Sequence, residues 1–293
     1  MSSLRLKPFE YFEPDDTNEA ADLLAAYGAE AQILAGGVDL IPRMRAGSIE
    51  AGYVVNIQGI PGLDAIEADG PRGLHFGAMA RLHDLEKTPS VKSSYPALFD
   101  AVHQITSVQT KCMGTAVGNI CVATPASDVA VALMALDAVV NVVGPNGTRD
   151  IPITDFYEDY RRIALQRGEM VVGVSVPAPP SGLGTAFMNL VRTHADIAKV
   201  TVAVALQMDG ERCTAARVAV GSVAPVTIRA TEAEAVLTGK TIDPQTVAKA
   251  ADVAAAAARP ITDVRSTAGY RKEMTAVLVG RALAKAAGRA KVV

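Results

Sequence analysis

Ala31-Gln32-Ile33-Leu34-Ala35-Gly36-Gly37-Val38-Asp39-Leu40 is the stretch that decides how the chain begins to fold. Ala31 to Ala35 is a short apolar run with the length of a buried strand. Gly36-Gly37 breaks it, and Val38 to Met44 fits a short helix with Asp39 in its first turn. Upstream, Asp15-Asp16-Thr17-Asn18 supplies capping side chains for a helical run from Glu19 to Tyr27, and Gly28 ends that run. Downstream, Tyr53-Val54-Val55-Asn56-Ile57 reads as a second strand. Helix, strand, helix and strand in quick succession predict a small parallel α/β unit.

Beyond Pro61-Gly62 the pattern changes. Strands are expected at Gly73 to Ala78 and Glu169 to Val176, and helices at Asp84 to Lys87, Pro96 to Ile105 and Asp128 to Leu136. Ala138 to Val143 and Thr148 to Ile153 flank Gly144-Pro145-Asn146-Gly147, which reads as a β-hairpin. Pro177-Ala178-Pro179-Pro180-Ser181-Gly182 is the clearest linker. After it, Ala198 to Met208 and Thr214 to Val220 are expected to alternate as antiparallel strands around Asp209-Gly210. Helical runs follow at Ala230 to Leu237, Asp243 to Ala258 and Ser266 to Ala287. The fold class is therefore α+β. An N-terminal region, 1–180, comprises a parallel α/β unit (about 1–60) and a mixed or antiparallel α+β unit (61–180). A C-terminal domain, 181–293, carries antiparallel strands and a helical bundle.

The 293 residues are 49% hydrophobic and 20% charged, with a net charge of −3 from 28 basic and 31 acidic groups, a globular composition. There is no Trp, and 7 Tyr and 6 Phe offer no base-stacking surface; with a pI near 5.9 this argues against nucleic acid as a partner. No apolar run reaches the roughly 18 residues of a membrane span, and the first eight residues lack the apolar core of a signal peptide. The expected location is the cytoplasm. Cys112, Cys121 and Cys213 form no CxxC, and the four histidines have no HxxxH or HExxH spacing. Neither a disulfide framework nor a metal held by this chain is expected.

Two glycine-containing stretches carry the chemistry. The first is Ala35-Gly36-Gly37-Val38-Asp39-Leu40 and the second Gly114-Thr115-Ala116-Val117-Gly118-Asn119. Each is read as a loop beside a strand. Such loops let backbone N–H groups converge into an anion site suited to a pyrophosphate. The alternative is a tight turn that holds nothing, and each stretch by itself admits both readings. Asp128, nine residues after Asn119, is placed either to accept from ribose hydroxyls or to cap a helix. Neither stretch is GxGxxG or GxxxxGK[ST], so a standard Rossmann or P-loop site is not supported.

Together these residues resemble the FAD-binding medium subunit of the molybdenum hydroxylases, the family of xanthine dehydrogenase and aerobic carbon monoxide dehydrogenase. Ala35 to Leu40 is similar to the family's first loop, AGG followed by a variable residue. Gly114 to Asn119 is similar to its second loop, GT-I-GGN, with Val117 in place of a glycine. Phe76-Gly77-Ala78, Thr124-Pro125-Ala126-Ser127-Asp128 and Gly168-Glu169-Met170-Val171 also match in order. So do Arg192 to Val200, Gly221 to Pro225, Asp263-Val264-Arg265 and Tyr270-Arg271.

The resemblance implies that 1–180 is the FAD-binding region. Ala35, Gly36, Gly37, Val38, Asp39 and Leu40, with Thr115, Ala116, Val117, Gly118 and Asn119, would wrap the FAD pyrophosphate. Asp128 would meet the ribityl or ribose part, Ile197 would lie against the isoalloxazine ring, and Val171 on the adenine side. It implies a heterotrimer in which a large subunit holds the molybdenum cofactor and a small subunit two [2Fe–2S] clusters. This chain would then be an electron-transfer oxidoreductase subunit passing electrons to NAD or another acceptor, with no catalytic acid, base or nucleophile of its own. The departures cut the other way. Val117 would strain the second loop if left-handed backbone is required there, at about 1–2 kcal/mol. Asn189 and Lys111 stand where relatives carry Lys and Arg. A degenerate scaffold without flavin, or a stand-alone flavin oxidoreductase, are the alternatives. Arg192 and Asp196 are expected to form a structural pair, and Cys112 and Cys121 to pack as small apolar groups.

Overall fold

The computed structural model describes residues 6–290. The chain opens with β1 (Glu10–Phe12), α1 (Thr17–Tyr27), β2 (Ala31–Leu34), α2 (Leu40–Arg45) and β3 (Tyr53–Asn56). Its three strands pair in parallel, in the order β1-β3-β2. The Asp16 carboxylate accepts from the N–H groups of Asn18 and Glu19 and starts α1; Gly28, at φ 56, returns its N–H to the Leu24 carbonyl and stops it. The expected parallel unit is thus present, with β1 as a strand too short for a sequence pattern to reveal.

A second unit follows: β4 (Ile66–Asp69), β5 (Gly73–Gly77), α3 (Leu82–Lys87), α4 (Pro89–Ser94), α5 (Pro96–Gln104), α6 (Val108–Met113), α7 (Ala116–Cys121) and α8 (Asp128–Ala135). It is completed by β6 (Val139–Gly144), β7 (Gly147–Pro152), β8 (Tyr157–Asp159), β9 (Arg162–Ile163) and β10 (Met170–Val176). Five strands form an antiparallel sheet in the order β4-β5-β10-β6-β7. Leu74, Phe76, Val174, Val176, Val140, Val142 and Ile151 form its buried face. The expected glycine loop at 114–119 is not a loop. It is a corner between α6 and α7, because Ser107 caps α6 by accepting from Thr110 N–H and Thr115 caps α7 by accepting from Gly118 N–H.

The third unit contains β11 (Leu183–Leu190), β12 (Val200–Asp209), β13 (Arg212–Gly221), β14 (Ile228–Arg229), α9 (Thr231–Leu237), α10 (Pro244–Ala257) and α11 (Ala268–Ala290). Its four strands are antiparallel in chain order. The expected antiparallel pairing of β12 and β13 is present, and β12 is buried on both faces, so side-chain size rather than polarity alternates along it. Val200, Val202, Val204 and Leu206 join a core with Ala282, Leu283 and Ala286 of α11. Ala203, together with Ala219 of β13, joins the core that includes α8. Every residue of α8 from Val129 to Ala135 is buried, because the helix lies between two units and packs on β12 and β13 as well as on α5 and α7. Its position sets Asp128, its first residue. Among the described residues no helix is long and apolar enough to cross a membrane.

Candidate functional site

β2 delivers the chain into the Gly36-Gly37 turn, and the α6–α7 corner closes on that turn from the second unit. A Cβ on Gly36 would lie 1.9 Å from the Met113 carbonyl oxygen, so the two backbones meet at a distance only glycine allows. Gly37 sits at φ +69, where side chains are disfavoured. Gln58 Nε2 donates to the Ala35 carbonyl over 2.6 Å, and Arg43 holds Asp39 at 3.0 Å. Among the described residues, no hydrogen bond is donated by the main-chain N–H of Gly36, Gly37, Val38, Asp39 or Thr115. All five residues line one cleft of about 960 Å³, within the range of small-molecule sites. Unpaired amides at the wall of a cleft are donors waiting for an acceptor.

Two further arms close the cleft. Val171, buried on β10, and Cys121, at the end of α7, line it. Burial pushes the Cys121 thiol up to about 12, so it serves there as an apolar group. Arg149 grips Glu169 through two 2.7 Å hydrogen bonds, which hold the Glu169 carboxyl below its usual range. Arg167 donates to the carbonyls of Ala25 and Ala26 beside Gly28. Sequence reasoning misses Gln58, Arg167 and the β8–β9 hairpin that brings in Ile163. They come from irregular segments with no motif, and only Gln58 stands near the first glycine pair.

A second cavity of about 310 Å³ adjoins the first, and Leu82, Thr110, Asn119 and Ala126 line both. Asp128 and Ile197 line only this second cavity. Asp128 is not a cap: Ser127 caps α8 by accepting from Ala130 N–H, and donates its own hydroxyl to Asn119 Oδ1. Asp128 Oδ1 is buried with no hydrogen-bond partner, and burial pushes its carboxyl up to about 7. A buried acceptor without a donor fits a ligand bearing hydroxyl groups. Ile197 is half exposed at the mouth, on a segment held by Arg192 and Asp196 at 3.4 Å, the structural pair the sequence suggests.

The remaining site residues sort plainly. Leu40 and Gly118 line the first cleft. Ala116 does not; it is fully buried, its N–H donating to the Ala80 carbonyl. Val117 lines the cleft from within α7 and is not among the left-handed residues, which are Ala123, Asp137, Arg161 and Ser222. The strain expected at Val117 is absent, and with it one of the two grounds for a degenerate scaffold. The site as a whole suits a long ligand with an anionic middle and hydroxyls toward one end.

Two family models match the chain. The FAD binding domain in molybdopterin dehydrogenase matches residues 7–179, and the CO dehydrogenase flavoprotein C-terminal domain matches residues 185–286. The chain is similar to the carbon monoxide dehydrogenase medium chain of Afipia carboxidovorans, with 32% identity over 97% of this chain and 98% of that one. It is also similar to the 6-hydroxypseudooxynicotine dehydrogenase complex subunit alpha of Paenarthrobacter nicotinovorans, with 32% identity over 98% and 97%. Among solved structures, carbon monoxide dehydrogenase from Hydrogenophaga pseudoflava, in a form lacking the Mo-pyranopterin moiety, superposes with a TM-score of 0.94 at 34% identity, covering 97% of this chain and 99% of that one.

Proposed function

Because the chain belongs to the family of FAD-binding medium subunits of the molybdenum hydroxylases, we propose that it takes electrons from [2Fe–2S] clusters on a small partner subunit and delivers them to NAD or another acceptor. The substrate would be oxidised at a molybdenum cofactor on a large partner subunit. The observation that carries this reading is the set of undonated N–H groups at Gly36 to Asp39 and at Thr115, which line a cleft that shares wall residues with the cavity holding Asp128. In this reading 1–180 holds the cofactor and 181–293 supplies the segment bearing Ile197.

The residues divide the work of binding. Gly36 to Asp39 and Thr115 would donate main-chain N–H groups to the pyrophosphate. Asp128 would accept from ribityl hydroxyls, Val171 would pack on the adenine side, and Ile197 would cover the ring. Flavin, when bound, supplies the redox chemistry, taking electrons singly and releasing them as a pair. The protein's part is to bind, orient and shield.

The test begins with the absorption spectrum of the full chain and mass spectrometry of the cofactor it releases. FAD is expected in the released fraction. NADH is then added to the flavin-loaded chain under anaerobic conditions. Bleaching supports NAD as acceptor; an unbleached flavin that an artificial reductant still bleaches points to a different acceptor.

A further inference from the structure

Three helices converge on one carboxylate behind the second glycine stretch. Glu86, in the last turn of α3, receives Lys111 Nζ of α6 at 2.6 Å on one oxygen and His103 Nδ1 of α5 at 2.7 Å on the other. The Lys111 and Glu86 side chains are only 8% and 12% exposed, so this pair is not a solvated surface contact. His103 reaches it from the surface, stacked on Phe99 at 5.6 Å.

The start of α3 is also joined to the residues that follow α6. Leu82 N–H donates to the Gly114 carbonyl at 3.0 Å, and Ala116 N–H donates to the Ala80 carbonyl at 3.1 Å. α3 is thus fastened near both of its ends to the C-terminal turn of α6 and the residues after it. Between the fastenings lies Met113, whose carbonyl presses on Gly36. Leu82 and Thr110, on these helices, line both cavities.

We infer that Lys111 and Glu86 are positioning residues, a buried clamp that sets where the Met113–Thr115 corner meets the Gly36 turn and so fixes the spacing of the amides that hold FAD. This rests on the flavin cradle described above. Neither residue touches either cavity; both act through the backbone they hold.

The full-length chain, purified free of flavin and titrated with FAD, tests this. In the double variant Lys111→Met with Glu86→Gln both charges leave together, so the fold and its Tm are expected to persist. FAD is expected to bind about tenfold more weakly, with an altered visible circular dichroism of the bound flavin. Lys111→Arg is expected to keep both wild-type affinity and dichroism. A double variant with wild-type affinity and dichroism overturns the clamp. Should it not fold, Glu86→Asp, which shortens the reach by one methylene and keeps the charge, is expected to weaken FAD about threefold; unchanged affinity overturns the proposal. A wild-type chain that takes up no FAD overturns the cradle as well, and is distinguished because no variant is then needed.

Discussion

At Gly36 the constraint is a distance, and at Gly37 it is a dihedral angle. Gly36→Ala forces the Met113 carbonyl to retreat, at a cost of about 1–3 kcal/mol, and is expected to abolish FAD retention while the far-UV spectrum stays unchanged. Gly37→Ala costs about 1–2 kcal/mol through its positive φ and is expected to weaken FAD less. Released flavin per chain, measured after gel filtration, separates the two. The sequence shows both glycines but only the second reason, because the atom that crowds Gly36 belongs to a residue far along the chain. Asp128 makes a different prediction. Its folded pKa of about 7 lies above its unfolded value of 3.8, so its stabilising contribution is complete below about pH 4 and is lost as pH rises through 7. Flavin-free Asp128→Asn is therefore expected to melt above flavin-free wild type at pH 8 and not at pH 4. A gap that does not shrink on acidification would refute the assignment. Sequence alone leaves Asp128 between ligand contact and cap; the serine before it takes the cap.

Elements whose form depends on distant partners are the ones the sequence hides. α6 and α7 are six residues each, too short to be stable alone, and the GTAVGN stretch, whose last four residues open α7, looks like a loop until Thr115 and Ser107 are seen capping. α8 is visible because it is apolar throughout, but that pattern does not say that a sheet covers it on one side and helices on another. β12 shows the consequence. Its small residues face α8 and its large ones face α11, so Ala203→Leu is expected to destabilise the chain by about 1–3 kcal/mol through overpacking. The same change is expected to weaken FAD by displacing α8 and Asp128. Urea unfolding and an FAD titration of one preparation check both halves; wild-type FAD affinity in a destabilised Ala203→Leu would uncouple the strand from the site.

Several polar ties join the first two units to the third, Ala97 N–H donating to Thr185 Oγ1 at 3.2 Å among them. Asp100 receives Lys285 and Arg289 of α11 at 2.8 and 2.9 Å. Asp137 pairs with Arg229 at 2.8 Å and with Arg217. Ser222 N–H donates to the Pro125 carbonyl at 2.6 Å, holding the 122–127 loop that borders both cavities. Ligand binding should therefore be felt throughout. FAD at a hundred times its Kd stabilises by about 2.7 kcal/mol and is expected to raise a single calorimetric transition by several degrees. Two transitions with only the first shifted would show that the ties carry little. The stretch 177–182 that joins β10 to β11 is marked by its prolines, whereas these ties join residues scattered across the sequence and carry no local signature. The order of strands in the second sheet has a consequence for biosynthesis. β10 lies between β5 and β6 at its centre, yet it is the last of the five to be made. Until residue 176 has left the ribosome, β5 and β6 each offer a bare edge to any neighbouring nascent chain. Slower translation at low temperature, or extra chaperone capacity, should therefore raise the soluble yield, and chains terminated before Met170 should collect in inclusion bodies.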